Sequence, residues 1–132
     1  MRTVVVIVEK VSDGSFWCRS GEINGNTVIT GCGDTVEEAK ADLLECYEEA
    51  KADAKESGKV FEQVRFSFKY DLVSFFDYFS FLNVSEIAKK AGINPSLMRQ
   101  YTSGVKKAGD KTYARLGACI ENIKKEFCAA SF

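Results

Sequence analysis

The sequence predicts an α+β protein in two parts: a small βββαβ sheet unit over residues 1–70 and an all-helical unit over residues 71–132. Three observations predict it. The opening third runs β-branched or alternating between glycine-marked turns. From Thr35 the apolar period lengthens to three and four residues, and after one more alternating stretch it stays helical to the end. The charge balance also changes sign between the parts: residues 1–70 carry 9 basic and 13 acidic side chains, net −4, and residues 71–132 carry 9 and 6, net +3.

Each element has its own signal. "TVVVIVEK" is a β-branched run suited to a central strand, and "SDGS" is a turn with glycine at the tight position. "SFWCR" alternates, with Phe16 and Cys18 on one side and Trp17 and Arg19 on the other. "EINGNTVITGCGD" supplies a glycine- and asparagine-marked loop, a third strand at "TVIT" and another turn, which together suggest an antiparallel meander. Thr35 with Glu38 three residues on forms a capping box opening a helix. Val36, Ala39, Leu43, Cys46, Tyr47 and Ala50 make its apolar stripe, and Gly58 ends it. Glu37, Lys40, Asp42, Glu45, Glu48 and Glu49 fill the other side, either a solvated face or a docking surface for a basic partner. "FEQVRFSFKY" returns to alternation and completes the sheet.

In the second part Leu72, Phe75, Phe76 and Phe79 form one helical stripe, whose spacing predicts core or core plus a dimer seam rather than a cofactor box. Asn83 and Glu86 cap a helix that runs to Gly92. Asn94 then caps another, with Pro95 at its first position, where a missing N–H costs nothing. Gly104 closes it. Tyr113, Leu116, Ile120, Ile123 and Phe127 recur at helical spacing in a last helix.

Composition narrows the function classes. At 132 residues with 45% hydrophobic content the chain is globular in class. No apolar run nears the roughly 20 residues of a membrane span, so a soluble cytoplasmic protein is expected. Cys18, Cys32, Cys46, Cys119 and Cys128 are odd in number and scattered, which predicts reduced thiols used as small hydrophobes and no metal site. Histidine is absent, so the side chain best suited to acid–base work near neutral pH is missing. No catalytic residue, cofactor or metal is expected.

The two short helices about "AGIN" form a helix-turn-helix pattern. Ala88 is small where the helices cross, Gly92 allows the turn, and Ile93 plugs the space beneath it. With Met98 and Tyr101 facing inward, the outer positions are Asn94, Pro95, Ser96, Arg99, Gln100 and Ser103, none of them acidic. Arg99 and Gln100 can each present two hydrogen-bonding atoms to a base edge. Asn94, Ser103 and the backbone at the helix start suit phosphate oxygens, and Ser96 is a further candidate DNA-binding position on the same face. Lys106 and Lys107, with Lys89 and Lys90, flank this surface, and from Lys89 to Arg115 there are seven basic residues against Asp110 alone. A helical bundle with no DNA contact is the plainer reading. The basic, acid-free outer face favours DNA contact. With no exposed aromatic ladder on which bases could stack, double-stranded DNA is favoured over a single strand, met as a homodimer or higher homo-oligomer because one helix reads only a few base pairs.

"VVVIVEKVSDGSFWCRS" followed by "TGCGDTVEEAKADLLE" resembles HicB-type antitoxins of type II toxin–antitoxin systems. These show a hydrophobic first strand ending in acid, a DG turn, an aromatic second strand and G-D-T-x-E-E-A opening a helix. The resemblance covers about the first 70 residues, and the helix-turn-helix matches one of the family's DNA-binding appendages. Many members carry a proline before the third strand, where this chain reads "GEINGN"; its only proline is Pro95. The resemblance implies a partial, non-catalytic RNase H-like fold for the first part. It also implies neutralisation of a small basic HicA-like mRNA-cleaving toxin and repression of the protein's own operon through an operator. Glu9 and Asp34 alone do not make the carboxylate cluster that two-metal chemistry needs. The alternative is a stand-alone transcriptional regulator whose first part senses a small molecule or protein.

Overall fold

In the computed structural model, which describes residues 1–132, the protein is of mixed α+β class and divides into two compact units, Met1–Asp71 and Leu72–Phe132. The first contains β1 (Arg2–Lys10), β2 (Phe16–Ser20), β3 (Thr30–Gly33), α1 (Val36–Glu56) and β4 (Val64–Tyr70). The sheet order is β3-β2-β1-β4. Strands β1, β2 and β3 form the expected antiparallel meander, and β4 lies parallel to β1. A parallel neighbour needs a crossover, and α1 supplies it.

Alternation decides which face α1 covers. Val4, Val6 and Val8 of β1 point inward beside Phe16 and Cys18 of β2 and Val64 of β4. Ala39, Leu43 and Tyr47 of α1 close this core. Tyr47 also joins the helix to the start of β4: its hydroxyl donates to the Glu62 carbonyl (2.8 Å) and accepts from the Val64 N–H (3.0 Å).

The third strand departs from expectation. It runs through the glycines, Thr30–Gly33, and not through "TVIT". A Cβ on Gly31 would lie 2.5 Å from the Ala39 carbonyl oxygen, and one on Gly33 would lie 2.5 Å from Glu38 Cβ. The glycines therefore let α1 press its backbone against β3, and the pair that reads as a turn is a flat helix seat. Upstream, the Ser20 hydroxyl accepts from the Ile29 N–H (2.9 Å), a side chain in place of a ladder carbonyl. The outer N–H of Cys32 on the same strand is taken by the Asp42 carboxylate at 2.9 Å. Strand β4 likewise starts later than "FEQVRFSFKY" suggests, at Val64.

Thr35 caps α1 as read, accepting from the Glu38 N–H at 3.1 Å. The returning Glu38 carboxylate reaches one residue further than a standard box, to the Asp34 N–H (2.8 Å). The segment after α1 is tied down by Glu62. It accepts from Arg2 at 2.8 and 2.9 Å and from the Asn24 N–H at 3.1 Å, while its own N–H donates to Asn24 Oδ1 at 2.7 Å. Hydrogen bonds from Arg2, then from Asn24, hold the Glu62 carboxyl down to about 2.

The second unit comprises α2 (Leu72–Tyr78), α3 (Val84–Ala91), α4 (Pro95–Thr102) and α5 (Asp110–Ala129). Leu72, Phe76, Ile87, Ala88, Ile93, Met98 and Leu116 are its buried core. Phe127 continues the α5 stripe but is 69% exposed, because the helix outruns the core beneath it. The cysteines divide. Cys18 and Cys119 are buried as small hydrophobes, Cys46 is half-buried, and Cys32 and Cys128 are exposed, contrary to a uniformly hydrophobic role. No helix is long and apolar enough to cross a membrane.

Candidate nucleic-acid interface

The geometry about residues 83–104 follows from four local devices. Asn83 Oδ1 accepts from the Glu86 N–H (3.1 Å) and opens α3. Gly92 turns the chain in the left-handed region at φ 73°, which only glycine adopts without strain. The Ile93 N–H then donates back to the Ala88 carbonyl (2.9 Å), and Ile93 itself is buried. Ala88 is fully buried, and its methyl leaves room for α4 to approach; Met98, also fully buried, fills the space from the other side. Burying such a side chain contributes about 1.5–3 kcal/mol. A fifth device comes from α5: Arg115 Nη1 donates to the Gly92 carbonyl at 3.3 Å and fastens the turn from outside.

Asn94, Ser96, Arg99, Gln100 and Ser103 are exposed, and Pro95 is half-buried. Arg99 is the best positioned of them. Its Nη1 donates to Ser85 Oγ on α3 and its Nη2 to Ser96 Oγ on α4, each at 3.1 Å, so the guanidinium is fixed across both helices while remaining exposed. Gln100 lies beside it on the outer face. Lys106 and Lys107 follow the helix in an exposed loop that folds back through the Lys106 N–H to the Gln100 carbonyl (3.2 Å).

Three assignments change. Asn94 serves its own helix: its Oδ1 accepts from the N–H groups of Ser96 (2.9 Å) and Leu97 (3.2 Å). With proline at the first position, the start of α4 therefore does not offer those donors to a phosphate. Ser103 Oγ donates to the Gln100 carbonyl (3.3 Å), closing the helix end. Among the flanking cations, Lys89 is paired with Glu86 at 3.2 Å and Arg115 is committed to Gly92, leaving Lys90, Lys106, Lys107 and Lys111 as the exposed basic rim.

Two features escape composition. Charge in the first unit is sorted by face: Glu37, Glu45, Glu48 and Glu49 are exposed on α1, whereas the uncovered side of the sheet carries Arg19, Arg65 and Lys69 against Glu9. The Ser85–Arg99 link joins residues 14 apart, and no periodicity announces it. No three His, Cys, Asp or Glu side chains converge to hold a metal ion. Compared with protein-family models, curated proteins and solved structures, the chain matches none.

Proposed function

We propose that this chain is a DNA-binding antitoxin of the HicB type, with a partial RNase H-like first unit and a helix-turn-helix second unit. The observation that carries the reading is the outer face of α4. It is acid-free, and Arg99 is held outward between Ser85 and Ser96 beside exposed Gln100. A guanidinium so fixed gives two of its five N–H donors to the serines and has three left for the acceptors of a guanine edge, and glutamine suits adenine. Lys106 and Lys107 supply phosphate contacts that carry no sequence information. In a homodimer the two α4 helices meet half-sites about 34 Å apart.

The toxin-binding role rests on charge and on the resemblance of the first unit to the family. An RNA-cleaving toxin is basic, and the exposed carboxylates of α1 give it a complementary face that steers encounter. The unit acts as a mask and not as an enzyme, and no cofactor enters.

Selection of bound duplexes from a random library, followed by titration of the winner, tests the DNA reading. Arg99→Ala or Gln100→Ala costs about 1–3 kcal/mol and relaxes preference at one position. Lys106→Ala weakens all sequences alike and flattens the salt dependence by about one contact. Equal effects from both kinds of change contradict the assignment of roles. Co-expression with the product of the adjacent small gene tests the antitoxin role, which fails if no complex forms at low salt.

A further inference from the structure

The uncovered face of the sheet has chemistry that DNA reading by α4 does not use. Along it, Val5 is 39%, Ile7 36% and Trp17 41% exposed, an apolar strip across β1 and β2. Ile7 has Arg19 as its partner on β2 and Lys69 on β4, Thr3 has Arg65, and Trp17 lies between Glu9 and Cys32. Directly opposed side chains are about 4.5–5.5 Å apart. The strip is therefore bordered by cations from two strands, with Glu9 as the acid among the outward residues of the four strands.

We propose that this face is a second nucleic-acid site, which takes a single-stranded polynucleotide by stacking a base on Trp17 and holding the backbone with Arg19 and Arg65. Shape selects the strand form. Three interstrand spacings of about 4.8 Å make the sheet about 14 Å across, wider than the roughly 12 Å major groove. A duplex cannot take the sheet in, and its bases are not available to a flat surface. A single strand has splayed bases, and aromatic side chains with cations beside them are what recognise those. An acidic protein would use the cations but has no call on the exposed indole ring. The proposal stands apart from the α4 interface and from the antitoxin role.

Trp17 is the only tryptophan in the chain, so its fluorescence reports this face alone. The full protein is titrated at low salt with an oligouridylate of about ten nucleotides, a length suited to one stacking platform. Quenching of Trp17 is expected, weakening as salt rises. With the same oligonucleotide carrying a fluorescent label, anisotropy should show a loss of about tenfold or more for Trp17→Leu. A comparable loss is expected for Arg19→Glu, which keeps the reporter, and tighter binding for Glu9→Gln, which removes the acid beside the ring. These side chains are exposed, so the variants fold. Unchanged fluorescence, or binding that survives Trp17→Leu, overturns the proposal. Competition by polyglutamate as effective as unlabelled oligonucleotide also overturns it, by reducing the face to a surface for acidic protein. Arg99→Ala leaves the quenching intact while impairing duplex reading, so the two interfaces fail separately.

Discussion

Gly31→Ala is the sharpest test of how the first unit is built. The new methyl would sit 2.5 Å from the Ala39 carbonyl oxygen and 2.8 Å from Leu43 Cα, and closer still to the Leu43 nitrogen. All three are backbone atoms of α1, so no side chain can swing aside. Relief to ordinary contact needs the helix to retreat by about 1 Å, and a gap of that size forfeits a quarter to a half of the dispersion energy of the atoms it separates. Leu43 and Ala39 are fully buried and Tyr47 nearly so, and all three move with the helix. Overpacking alone costs about 1–3 kcal/mol. With the backbone obstructed and the stripe loosened, a loss of about 3 kcal/mol or more is expected, a large part of the few to ten kcal/mol available to a unit this size. Urea unfolding followed by Trp17 fluorescence reads the change, because Trp17 pairs with Cys32 on the same strand as Gly31. Gly117→Ala is the control: it lies within α5 with nothing near its absent Cβ, and should gain about 1 kcal/mol by circular dichroism. A Gly31→Ala protein within about 0.5 kcal/mol of the parent refutes the close seat of α1 on β3.

Other outcomes follow from single contacts. Glu62 has its carboxyl lowered from 4.5 to about 2 in the folded chain, so its stabilising effect is whole above pH 4.5 and drains away as pH falls towards 2. Acid titration of unfolding should show this slope in the parent and lose most of it in Glu62→Gln. Arg115→Met removes the bond to the Gly92 carbonyl and should cost the second unit about 1 kcal/mol in thermal melts, while weakening duplex binding through a looser turn. Met98→Ala empties a fully buried site and should cost about 2–5 kcal/mol, whereas Arg99→Ala leaves stability nearly unchanged. Mass spectrometry after brief alkylation should find Cys32 and Cys128 modified first. Cys46 should lag, its thiol raised by desolvation and then by neighbouring carboxylates, and Cys18 and Cys119 should stay protected.

The helices were legible in the residues because their signals are local. Thr35, Asn83 and Asn94 each accept the N–H that their spacing implies, and Gly58, Gly92 and Gly104 each take a positive φ at a helix end. The meander was legible from alternation, since Phe16 and Cys18 are buried while Trp17 and Arg19 are not. What failed depended on distance. Gly31 and Gly33 resemble a turn until a helix is seen resting on them. Phe127 fits the α5 period, but periodicity gives a direction and not the extent of the core beneath. Asn94 suits a phosphate by residue type, but its oxygen is needed two and three residues along its own chain. A net charge of −4 likewise concealed a face that is basic, because totals average over opposite sides of a sheet.

The carboxylate of Asp42 occupies the outward N–H of Cys32 and shuts one margin of the sheet with a side chain rather than a fifth strand. At the other margin, two β4 strands meeting antiparallel about Ser67 would set Arg65 against Lys69 on the uncovered face, like charge facing like. Lateral growth is thus plugged on one flank and repelled on the other, and concentrated salt, which screens only the second, should let two copies join through β4 and go no further.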